Sequence, residues 1–172
     1  MGMQKGRLYV VNTCSGTVTV IDTATNNVVT TIDVGDLPQR VAVNDVTNRV
    51  YVTNKASHDV SIIDAVTNMV IATVAVGDGP LNVVVNELTN KIYVANTLSN
   101  SVSVIDGVTN MVIATIPVGV NPMGMAVNKV DNRIYVANMY SNNVSVIDGN
   151  TDMVIATIPV GSVPSDLDLL FL

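Results

Sequence analysis

The chain has 172 residues, 48 % of them apolar and 13 % charged, and its eight Lys and Arg against fourteen Asp and Glu leave a net charge of −6. That hydrophobicity excludes intrinsic disorder, and the acidic balance offers no basic field for a polyanion, so nucleic acid is not an expected partner. A lone cysteine, Cys14, excludes an internal disulfide; with no apolar run near the ~18 residues that cross a bilayer and no leader pattern in Met1–Gly6, a soluble, unprocessed chain without membrane insertion is expected.

A long period, where one exists, decides how every local signal is read. Tyr9, Tyr51, Tyr93 and Tyr135 stand 42 residues apart and open Tyr-Val-Val-Asn, Tyr-Val-Thr-Asn and, twice, Tyr-Val-Ala-Asn. The same step links Ser15 to Ser57, Ser99 and Ser141, and Asp22 to Asp64, Asp106 and Asp148. It also links Gly35 to Gly77, Gly119 and Gly161, each followed by a proline at Pro38, Pro80, Pro122 and Pro164.

In chain order, the first copy supplies three strands around Tyr9. The second predicts four, at 41–44, 49–53, 60–63 and 69–76, rich in Val, Ile and Thr and separated by polar turns. The third and fourth copies repeat this plan. Consecutive apolar residues such as Val83-Val84-Val85 suit sheets covered on both faces, so the four-stranded units stack face to face. Units of this size arranged radially form a β-propeller, giving one all-β domain over 1–172 with four antiparallel blades. The strand-end aspartates are expected to hold turns by accepting backbone N–H groups two residues on.

The Tyr-Val-x-Asn tetrapeptides, the Ser-x-x-Val-Ser-Val-Ile-Asp segment and the Val-Gly-x-x-Pro ending resemble the YVTN family of β-propeller repeats. The resemblance covers nearly the whole chain and implies a surface-layer type of propeller of about seven blades, whereas this chain offers four. It also implies an extracellular or cell-surface setting; the absence of a leader pattern leaves a cytoplasmic one as the alternative. Residues 167–172 fall one period after the inner strand of the fourth blade and are expected to close the ring as the missing inner strand of the first. Asp168 and Leu170 depart there from the Ala or Val and the Asn of the other copies. Closure onto a second chain gives an eight-bladed homodimer by strand exchange, with blades about 45° apart; closure onto itself gives a four-bladed ring at about 90°. The small side chains between the sheets favour the former.

Positions that vary between copies are free to serve a ligand, and they fall in two linkers that emerge on one face. The candidate ligand-binding residues are Gln39, Arg40, Lys55, His58, Asp59, Asn82, Met123, Met139, Tyr140 and Asn142. One histidine, with neither a Cys-x-x-Cys-His motif nor a Gly-rich phosphate loop, gives no catalytic or metal-binding set and no cofactor. The expected protein is therefore a noncatalytic binding or scaffolding module for a protein or glycan ligand. The alternatives are an enzyme or metal-binding propeller using His58, and a structural fragment of a larger propeller.

Overall fold

The computed structural model describes residues 6–170, which form fifteen strands and a single turn of 3-10 helix at Thr13–Ser15. The first sheet holds β1 (Arg7–Asn12), β2 (Thr17–Asp22) and β3 (Val28–Asp33). The second holds β4 (Pro38–Asn44), β5 (Arg49–Asn54), β6 (Asp59–Asp64) and β7 (Met69–Ala75). The third holds β8 (Pro80–Asn86), β9 (Lys91–Asn96), β10 (Ser101–Asp106) and β11 (Met111–Pro117). The fourth holds β12 (Pro122–Asn128), β13 (Arg133–Asn138), β14 (Asn143–Asp148) and β15 (Met153–Pro159). Each sheet is an antiparallel meander in chain order, so each 42-residue period becomes one propeller blade, and among the described residues the first blade has three strands and lacks an inner one.

The turns explain why the repeat contains Asp-x-x-Thr-Asn. Asp64 Oδ1 accepts the N–H groups of Val66 and Thr67, each at 2.9 Å, while the Asn68 N–H donates to the Asp64 carbonyl at 2.8 Å. Asn68 closes the turn at φ 57°, a left-handed conformation that Asn tolerates. Asp22 and Asp106 make the same contacts in their own turns, and Asp148 Oδ1 accepts the Asn150 N–H while its carbonyl accepts the Asp152 N–H, both at 2.8 Å. Those backbone N–H groups hold the carboxyls of Asp22, Asp64 and Asp106 below the ordinary range.

Inner strands begin earlier than the sequence predicts, at Pro38, Pro80 and Pro122. Each proline opens its strand across from the last Asn of the neighbouring strand, and an irregularity of register follows at once. Proline has no N–H to give the ladder, so the first residue of a strand is where it fits.

The core lies between blades. Tyr51, Val60, Ile62 and Val74 of the second blade pack on Val83, Ile92, Val94 and Ile105 of the third, and equivalent clusters join the first blade to the second and the third to the fourth. Each blade thus has a leading face built around its tyrosine and a trailing face of smaller aliphatics. Burial raises the pKa of the Tyr9, Tyr51 and Tyr93 phenols. Glycine marks the rim of each junction: a Cβ on Gly77 would sit 2.5 Å from Ser99 Oγ and 2.6 Å from Asn96 Nδ2 of the next blade. Asn96 cannot easily yield, because its Nδ2 donates to Ser101 Oγ and Ser103 Oγ at 3.1 and 2.9 Å.

Among the described residues no such cluster joins the fourth blade to the first. Ile158 on the leading face of the fourth blade is 46 % exposed where its equivalent Ile116 is 4 % exposed. Leu8 on the trailing face of the first is 51 % exposed where its equivalent Val50 is fully buried. Of the closing strand expected at 167–172, residues 167–170 belong to no sheet among the described residues, and Phe171 and Leu172 lie outside them. The chain leaves β15 and runs across the inner strand of its own last blade, where a Cβ on Gly124 would lie 2.6 Å from Asp166 Cα.

Candidate functional site

The inner strands of the second, third and fourth blades lie side by side around the axis. Their first residues, together with the segment after β15, enclose a cavity of about 290 Å3 lined by Arg40, Leu81, Asn82, Met123, Ser165 and Asp166. Arg40, Asn82 and Asp166 occupy one position of the 42-residue period, which is Gly124 in the fourth blade, and Leu81, Met123 and Ser165 occupy the position before it. Stacking the blades turns a period in sequence into a ring in space, and at this level the ring carries four chemistries: a guanidinium, an amide, a carboxylate and a thioether. Arg40 is exposed, and its backbone N–H donates to Thr53 Oγ1 at 3.1 Å, which fixes the strand that carries it. Thr53 Oγ1 in turn donates to the Leu81 carbonyl at 2.9 Å, tying the second blade to the third directly beneath the cavity.

Three of the ten candidates therefore meet at one place: Arg40, Asn82 and Met123. They do so from strand ends and not from the linkers to which the sequence assigns them, because the inner strands start at the prolines. Gln39 stands beside Arg40 and folds back, its Nε2 donating to the Leu37 carbonyl at 3.1 Å. Ser165, Asp166 and Leu81 were legible only as repeat equivalents of Arg40, Asn82 and Met123.

Three other candidates hold the scaffold. His58 Nδ1 accepts the N–H of Gly79 at 3.1 Å. At the equivalent positions Asn100 Oδ1 accepts from Asn121 N–H and Asn142 Oδ1 from Val163 N–H, both at 2.9 Å. All three residues lie at positive φ, between 52° and 58°, where Asn and His are enriched. His58 and Asn142 are thus two versions of one bridge between successive loops. Asp59 is likewise an acceptor in the strand-end ladder: Asn54 Nδ2 donates to its Oδ1 at 2.6 Å, as Asn96 does to Ser101 and Asn138 to Asn143. Asp78 approaches His58 at 4.0 Å, but among the described residues no three His, Cys, Asp or Glu side chains converge as a metal set.

The remaining candidates, Lys55, Met139 and Tyr140, sit on loops between second and third strands and do not line the cavity. The Lys55 N–H donates to the Leu37 carbonyl at 3.0 Å and the Tyr140 N–H to the Val120 carbonyl at 3.1 Å, so these loops are pinned to the neighbouring linkers. Tyr140 projects its ring outward, 65 % exposed. Backbone strain is stored here too: Leu37 and Val163 take φ values of 50° and 58° at positions where other copies have Gly79 or Asn121. The opposite face repeats its turns and exposes Val46, Leu88 and Val130 at their tips.

No protein-family model matches this chain, and no curated protein matches it in sequence. Solved structures do match its fold. Hydrazine synthase of Kuenenia stuttgartiensis aligns with a TM-score of 0.82 at 24 % identity, over 88 % of this chain and 45 % of that one. A functionally unknown protein from Desulfotomaculum acetoxidans DSM 771 aligns with a TM-score of 0.81 at 13 % identity, over 93 % of this chain and 55 % of that one. This chain spans about half the length of each. At these identities the likeness is one of fold, and with the strand layout it makes the chain β-propeller-like.

Proposed function

We propose that this chain is a noncatalytic recognition module whose axial cavity takes a polar ligand, a saccharide unit at the end of a glycan. The observation that carries this reading is the convergence of Arg40, Asn82, Met123 and Asp166 on one cavity from two adjacent repeat positions in the second to fourth blades and the segment after β15. Its 290 Å3 lie at the small end of ligand pockets, which run from ~300 to ~1,000 Å3. A guanidinium, an amide and a carboxylate offer donors and acceptors in the mixture that sugar hydroxyls need, and the thioether offers an apolar contact. A noncatalytic role is supported by what the titratable groups of this face already do, since His58 and Asp59 are engaged in scaffold bonds. The resemblance to YVTN repeats supports display at a cell surface.

We further read the ring as completed by a second copy into an eight-bladed homodimer. The uncovered leading face of the fourth blade and trailing face of the first support it, being the two halves of a junction the chain makes three times internally.

The recognition reading is tested on a glycan array with the unaltered chain and the variants Arg40→Ala, Asn82→Ala and Met123→Ala. Loss of one charged or amide contact should weaken binding to the selected glycans about tenfold for Arg40→Ala, with an unchanged melting temperature. Binding that survives all three substitutions, or an array with no bound glycan, overturns it.

A further inference from the structure

The two ends of the chain carry unmatched halves of the same contacts, and their register can be read from the interior. Gly35, Gly77 and Gly119 each abut an Asn of the following blade, whereas a Cβ on the fourth equivalent, Gly161, would meet nothing within 4 Å. Its counterparts one period on are Asn12 and Ser15 of the first blade. Among the described residues that blade has a free edge at β1, and beside it lies a cavity of about 760 Å3 whose lining includes Arg7, Tyr9, Val43 and Asp45. Arg7 forms no ion pair among the described residues; of its equivalents, Arg49 and Lys91 pair with Asp64 and Asp152, while Arg133 in the last blade is, like Arg7, without one there. Past β15, residues 167–170 alternate half-buried and exposed, Leu167 and Leu169 inward, Asp168 and Leu170 outward.

Resting on the two-copy ring, we propose that residues 164–170 of one copy add to β1 of the other as its inner strand, with Asp168 entering the 760 Å3 cavity beside Arg7. The register of β4 on β5 sets the pairing: Ala42 opposite Tyr51, Val43 opposite Val50 and Asn44 opposite Arg49. One period on, Asp168 stands opposite Tyr9, Leu169 opposite Leu8 and Leu170 opposite Arg7. In the interior Ala42 joins the cluster ahead of its blade and Val85 the same junction from behind. Asp168 therefore faces the junction of the first and second blades, while Leu167 and Leu169 cover the fourth blade of their own chain. This is strand addition to an open edge, in which main-chain bonds give affinity and alternate side chains give register. It also accounts for the departure at Asp168, since a carboxylate between blades needs a cation and Arg7 is placed to supply one. Asp45 shares the cavity lining, so the acidic strand end and Asp45 compete for that cation and the pair fixes a single register.

The test uses the full chain carrying Cys14→Ser, with Leu8→Cys and Leu169→Cys added. Air oxidation should give a covalent dimer on non-reducing gels, and sedimentation should give twice the 18.1 kDa chain mass. Separately, Arg7→Glu should weaken self-association at least about tenfold, and Arg7→Glu with Asp168→Arg should restore it. A dimer by mass that neither cross-links nor responds to the charge exchange overturns this strand register and leaves the ring standing. A cross-link within one chain overturns it in favour of the chain's own tail as the occupant. A monomer at every concentration overturns both.

Discussion

Replacing Gly77 by Ala puts the blade junction under direct test. The added methyl would lie 2.5 to 2.7 Å from Ser99 Oγ and the Asn96 side chain, closer than any relaxed contact. Relief requires the Asn96 amide to rotate away from Ser101 and Ser103, and it is fully buried. Two such hydrogen bonds are worth about 1 kcal/mol each net, and overpacking adds about 1–3 kcal/mol. Against this, Gly→Ala reduces the entropy of the unfolded chain, a gain of about 0.4–1 kcal/mol. The expected net loss is about 2–5 kcal/mol, with a melting temperature lower by about 4–20 °C at about 2–4 °C per kcal/mol for a chain of this size. Urea denaturation should show a lower midpoint with an unchanged slope, since the surface exposed on unfolding stays the same. A midpoint equal to or above that of the unaltered protein would refute the close approach of successive blades on which the radial stacking rests.

Two further outcomes follow from the same junctions. The Tyr51 hydroxyl is buried without a hydrogen-bond partner among the described residues, so Tyr51→Phe should leave the stability unchanged or raise it, while Tyr51→Ala should cost about 3–5 kcal/mol in the same urea assay. Asp22, Asp64 and Asp106 have folded pKa values depressed chiefly by turn N–H groups, so the unfolded chain binds protons first as the solution is acidified. Their stabilisation is complete above the ordinary carboxylate pKa of about 4 and is lost as pH falls through the lower folded values. Melting temperatures measured from pH 6 downward should drop in that acid window, and Asp64→Ala should flatten the drop.

Much of the scaffold was legible because the repeat states it four times. Asp at each strand end, with Asn four residues later in three copies and Asp152 in the fourth, announces an Asx turn, and Asp64 with the left-handed Asn68 forms one. The candidate site was harder to read, for a reason that His58 makes plain. Variation between copies reads as freedom from structural duty, yet His58 differs in identity from Asn100 and Asn142 and shares their one duty, to accept a backbone N–H from the next loop. Different side chains that present a lone pair at the same place are equivalent to the fold and distinct to the eye. Asp59, Ser101 and Asn143 repeat the lesson as acceptors for the strand-end Asn.

By itself the sequence determined the unit: its length, its four-strand plan, its turns and the two apolar faces through which it stacks, all of which depend on neighbours a few residues apart. Tertiary structure decided what the units make between them. Arg40, Asn82, Met123 and Asp166 became neighbours because three blades rotate their inner strands about one axis, and Leu8 and Ile158 stay exposed because that rotation ends before the fourth blade meets the first. The angle between blades is the sum of many small packing choices at each junction, and no single residue carries it.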